Sequence, residues 1–98
     1  MQIKIHDSYR KIVALTDSNI IGQTFTQDNR QIEVKPNFFE GEEKNKEEAI
    51  EILKDMNKED ATFYIVGKKS IETALEANII SKEGIITIDN IPVALGLL

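Results

Sequence analysis

One histidine, His6, and no cysteine are available for chemistry in this 98-residue chain. His6 falls in Gln2-Ile3-Lys4-Ile5-His6 and shares a strand face with Gln2 and Lys4, opposite Ile3 and Ile5. That placement turns it to solvent or to a neighbouring loop, a structural or surface role. His6-Asp7-Ser8 is contiguous, but successive strand residues point to opposite faces, and a triad is assembled in space with its base oriented by a third group. A metal site needs several converging His, Cys or carboxylate ligands. Glu47, Glu51 and Asp55 are spaced one helical turn apart and share a face, yet hard cations favour oxygens converging from several directions. The expected reading is a solvated face. No GxxxxGK[ST] loop, GxGxxG, HExxH or nucleophile elbow occurs. No catalytic residue, metal ligand or cofactor is assigned, and the inventory leans to binding over catalysis.

Two segments are candidates for binding. Ile65-Val66-Gly67-Lys68-Lys69-Ser70 has the strand–glycine–helix layout that presents backbone amides to an anion. Two lysines in a first helical turn oppose the dipole, a conflict that a bound phosphate or carboxylate would relieve. Gly67, Lys68, Lys69 and Ser70 are therefore the candidate anion or nucleotide site. The simpler alternative makes Ser70 the cap and leaves the lysines in water. Phe38-Phe39, followed by Glu42 and Glu43, is the candidate partner-docking segment, because aromatics anchor interfaces. The alternative there is that one ring plugs the core and the other partly covers it.

Charge narrows the partner. Residues 40–60 hold nine acids against four lysines, which accounts for the whole formal charge of −5. No basic cluster exists to neutralise phosphates, so duplex DNA is excluded as a partner. The expected partner is a protein or ribonucleoprotein with a basic surface. No apolar run approaches membrane-spanning length, and the alternating N-terminus has no signal-peptide core. With zero cysteines, these features predict a soluble cytoplasmic protein.

The elements that must position these residues follow from periodicity. Ile3 and Ile5 alternate in a first strand, and Lys11–Thr16 is apolar on both faces, so the two form an opening hairpin. Asp17 is read as the cap of one helical turn, Ser18–Ile21, ended by Gly22. Thr24–Gln27 is a short extended piece, and Gln31–Lys35 alternates as a strand closed by Pro36. Residues 37–41 are read as a loop. Asn45 and Glu48 form a capping box for a helix over 46–56 whose Ala49, Ile52, Leu53 and Met56 share a face. Thr62–Val66 reads as a central strand and 68–77 as a second helix, ended by Asn78. Ile85–Ile88 and Ile91–Leu95 form a hairpin about Asp89-Asn90, and Pro92 marks the last strand as an edge.

The order predicts one α/β domain over 1–98: two layers, a mixed sheet with terminal antiparallel hairpins, and two main helices on one face. The apolar stretch 91–98 either packs back on its own sheet or joins a two-fold mate as a homodimer.

Ile3-Lys4-Ile5-His6, Ile20-Ile21-Gly22-Gln23-Thr24-Phe25, Phe38-Phe39-Glu40-Gly41-Glu42, Ala61–Gly67 and Ser70-Ile71-Glu72-Thr73-Ala74 together resemble the archaeal family known as domain of unknown function 424, over nearly the whole chain. The resemblance implies a cytoplasmic archaeal protein with no established activity and, at most, an association with translation. The family's closing hairpin commonly carries a Gly-Val-Pro-His-type segment. Asn90-Ile91-Pro92-Val93 stand there in this chain, so a role for that histidine does not carry over.

Overall fold

Residues 1–96 are described by the structure, a computed structural model. Eight strands and three helices follow in the order β1 (Gln2–His6), β2 (Ile12–Thr16), β3 (Thr24–Gln27), β4 (Arg30–Glu33), α1 (Pro36–Phe39), β5 (Glu42–Glu43), α2 (Lys46–Lys58), β6 (Thr62–Val66), α3 (Lys68–Glu76), β7 (Ile85–Ile88) and β8 (Ile91–Gly96). Six strands make a mixed sheet in the order β5-β1-β2-β6-β8-β7, and β3 and β4 form a separate hairpin.

The centre of the sheet is the parallel pair β2–β6, with Val13 opposite Phe63 and Leu15 opposite Ile65. All four side chains are buried with 1% exposure or less. They lie on the face covered by α2 and α3, where Ala49, Leu53, Ile71 and Ala74 complete one core. Burying a side chain of this size contributes about 1.5–3 kcal/mol. The α2 helix starts as its sequence demands: Asn45 Oδ1 accepts from Glu48 N–H at 2.8 Å, and Glu48 Oε1 accepts from Asn45 N–H at 3.0 Å.

The fold is thus the expected mixed sheet with antiparallel terminal hairpins and both long helices on one face. The opposite face is covered over part of its area as well. Ile20, Val34 and Phe39 pack there on Ala14 and Val66 as a second core, brought in by the β3–β4 hairpin and by α1. The segment expected to be a loop contains α1, one helical turn with Pro36 at its start. Proline suits a first helical position because the missing N–H has no intrahelical partner there.

Pro92 does not mark an edge. β8 lies between β6 and β7, and β7 is the edge strand. The reason is local. Gly67 N–H donates to the Pro92 carbonyl at 3.0 Å, while the Gly67 carbonyl turns away to accept Ile71 N–H at 2.9 Å. A donor at position 92 would face no acceptor, so proline costs the ladder nothing. With both flanks of β8 paired, residues 91–96 offer no free edge to a second copy; Leu97 and Leu98 lie outside the described residues.

Candidate functional site

The start of α3 is where the candidate anion site was expected, and its donors are already engaged. Gly67, at φ 114, ends β6 and caps α3. Asp17, one residue beyond β2, extends the parallel ladder by donating its N–H to Val66 at 3.3 Å. Its carboxylate then accepts from Ser70 N–H at 2.8 Å, Ser70 Oγ–H at 2.8 Å and Lys69 N–H at 3.2 Å. The negative charge that the first turn of α3 lacks locally is supplied from the neighbouring strand. Asp17 was expected to cap the turn after it; its side chain makes no bond to that turn, a 3-10 piece over Ser18–Ile20. Ser70 is buried. Lys68 and Lys69 are exposed, and Lys69 lines a cleft of about 530 Å³ with Lys46, Glu72 and Thr73.

The expected docking segment is taken apart. Phe39 is buried in the second core. Glu42 pairs with Lys44 at 3.2 Å. Glu43 accepts from the Met1 ammonium at 2.5 Å and from Ser18 Oγ–H at 2.6 Å. The ammonium bond is the largest cause holding the Glu43 carboxyl down to about 2. Lys46 bridges Glu72 and Glu76, both at 2.8 Å, and ties the start of α2 to α3. Its ammonium is held above its ordinary range by those bonds, the Glu72 bond being the stronger.

Glu42 and Glu43 are exposed but paired, and of the two rings in that segment Phe38 is the half-buried one. Its ring stacks on His6, with centroids 4.6 Å apart, and meets Tyr64 edge-on at 5.3 Å. His6 Nε2 lies 2.8 Å from the Phe38 carbonyl; a carbonyl only accepts, so this nitrogen carries the proton. With Lys4 Nζ donating to the Asn37 carbonyl at 2.8 Å, two residues of β1 hold α1 against the sheet. His6 therefore meets a neighbouring segment, as its strand face required.

From Tyr64 the apolar surface continues across the sheet. Tyr64 is opposite Leu95, and Val93, two residues before Leu95, is opposite Ile86. Tyr64, Leu95 and Ile86 are 38%, 49% and 44% exposed. The covering hairpin reaches β7 at its Ile88 end, which is buried, and Phe38 of α1 covers His6; between them Tyr64, Leu95 and Ile86 remain exposed. Scattered apolar residues are ordinary on protein surfaces, whereas contiguous ones mark interaction sites. The signal in sequence was the aromatic at Tyr64 in a strand otherwise read as buried.

Glu47, Glu51 and Asp55 lie on the exposed side of α2, and none pairs with a cation among the described residues. Among the described residues no three His, Asp or Glu side chains cluster to hold a metal ion. No helix there is long and apolar enough to cross a membrane.

The family profile described as "Protein of unknown function (DUF424)" matches residues 5–96. The chain belongs to the DUF424 family. None of the curated proteins matches it. The DUF424 fold seen here is shared with a solved structure, the crystal structure of an uncharacterized conserved protein from the archaeon Methanopyrus kandleri. The two superpose with a TM-score of 0.85 at 15% identity, covering 98% of this chain and 90% of that one. At that identity the likeness concerns the DUF424 fold alone.

Proposed function

We propose that this protein is a non-enzymatic binding module that docks a partner protein on the open half of its sheet. The observation that supports this reading is the exposure of Tyr64, Leu95 and Ile86 on one face of three neighbouring strands, flanked by the half-buried Phe38 ring against Tyr64. Aromatic side chains held by a rigid scaffold make good anchors, because little conformational freedom remains to be lost on binding. Affinity capture from the native cell with the wild-type chain and with folded Tyr64→Asp and Leu95→Asp variants tests the reading. A stoichiometric protein present with the wild type and lost with both variants supports it. The same protein retained by both variants contradicts it.

The second reading is a partner with a basic surface, a protein or ribonucleoprotein, held by Glu47, Glu51 and Asp55. Their lack of cation partners favours it. This stripe lies on the outside of α2, so the sheet separates it from the aromatic surface. Association there weakens steeply with salt, since exposed charges are screened over about 10 Å at 0.1 M. Docking on the sheet face does not.

A further inference from the structure

β1 is covered along its outer edge for only part of its length. Met1 and Lys44 exchange hydrogen bonds at 2.8 and 3.2 Å, and β5 stops at the pair Ile3–Glu42. Backbone groups of successive strand residues point to opposite sides. Those of Ile5, like those of Met1 and Ile3, therefore turn outward, past the end of β5, where no described strand meets them. Beside this bare stretch lies a groove of about 300 Å³ between β1 and α2, lined by Ile3, Lys4, Ile5, Gly41, Glu42 and Ile52. Its floor is isoleucine, and Ile5 is 42% exposed.

The α2 flank of the groove is acidic. Glu48 and Asp55, four residues before and three after Ile52, lie on its side of the helix. Lys54 is about 200° around from Ile52, and Lys46 turns away to reach Glu72 and Glu76 of α3. The cations at the rim are committed: Lys11 to Glu59, Lys44 to Glu42 and Lys4 to the Asn37 carbonyl. Glu48 bonds to the neutral Asn45 N–H, and Asp55 has no cation partner among the described residues. The groove is left with uncompensated negative charge.

We propose that this groove docks a short extended segment of a partner protein, an aliphatic residue flanked by lysine or arginine. The aliphatic side chain enters among Ile3, Ile5 and Ile52, and the basic side chains lie against Glu48 and Asp55. The segment's backbone meets the outward N–H and C=O of Ile5. The acidic flank selects a basic segment over a neutral or acidic one, and the unmatched backbone groups select a peptide over a simple polycation. This site lies across the sheet from Tyr64 and does not depend on docking there. Glu51, about 100° back from Ile52, points to solvent and takes no part.

Selection from a randomised heptapeptide display library on the full chain tests this. The expected consensus is a leucine, isoleucine, valine or methionine with lysine or arginine beside it. The synthetic consensus peptide is then titrated against wild type, Ile5→Ser, Asp55→Lys and Tyr64→Asp, each with the wild-type fold by circular dichroism. Its dissociation constant is expected to rise about 10-fold for Ile5→Ser and about 5-fold for Asp55→Lys, and to stay unchanged for Tyr64→Asp. Asp55→Lys, on the exposed side of α2, decides the matter should Ile5→Ser not fold. No enriched sequence, or a consensus lacking the aliphatic or the basic residue, overturns the proposal. So does equal affinity for wild type and the folded groove variants, or a dimer of the chain itself that Ile5→Ser disperses.

Discussion

Asp17 and Ser70 are 53 residues apart and share one oxygen: Asp17 Oδ1 accepts both the backbone N–H and the hydroxyl of Ser70, each at 2.8 Å. This contact locks the end of β2 to the start of α3 and occupies the anion position of that helix. Replacing Asp17 by alanine removes a helix cap and strands the buried Ser70 hydroxyl. The expected loss is about 1–3 kcal/mol of unfolding free energy, measured by urea denaturation. Asp17→Asn keeps the Oδ1 acceptor and is expected to lose less.

Gly67 makes the same junction possible. Its φ of 114 is a conformation L side chains rarely adopt, and a Cβ there would stand 2.5 Å from Asp17 Cγ. Gly67→Ala is expected to cost at least about 2 kcal/mol. Gly84, with open space around it and no positive φ, is the control, and its alanine variant is expected within about 0.5 kcal/mol of wild type. Paired thermal melts check both.

Acid should loosen the junction between β1 and β5. The Met1 ammonium and Ser18 hold the Glu43 carboxyl down to about 2. A depressed folded-state value means the stabilisation is complete above the ordinary carboxylate range and is lost as pH falls from there toward about 2. The unfolding free energies of wild type and Glu43→Gln are therefore expected to differ by a constant amount near neutrality and to converge by pH ~2. A gap that persists at pH 2 contradicts this assignment.

On the open sheet face, Tyr64→Ser and Leu95→Ser are expected to change stability by less than about 1 kcal/mol, since both side chains are already substantially exposed. Neither should alter the amide spectrum of the opposite core around Leu53 and Phe63. A large loss of stability in either variant would show the face to be structural.

Much of this fold was legible because its signals are local. The Asn45–Glu48 capping box, the alternation in β1 and the Asp89-Asn90 turn each act within a few residues, and each formed as read. The remainder depends on contacts distant in sequence. Asp17 had a nearby turn to cap, and its partner lies on the next strand's helix. Pro92 resembled an edge signal only while the use of the Gly67 carbonyl by α3 was out of view. β5, two glutamates with no apolar alternation, exists because the first strand leaves an edge beside it. The docking candidates 38–43 were neighbours in sequence, and β5 and α1 sent them to different environments. Tyr64, Leu95 and Ile86 come from three elements, so no spacing in the sequence could announce them as one surface.

The claim that the sheet face is the binding surface is tested most directly by a photoactivatable cross-linking residue placed at Tyr64 or, separately, at Glu51 on α2, in the native cell. The expected result is a discrete protein adduct from position 64 and none from position 51. Adducts from position 51 alone, or from neither position, would contradict it.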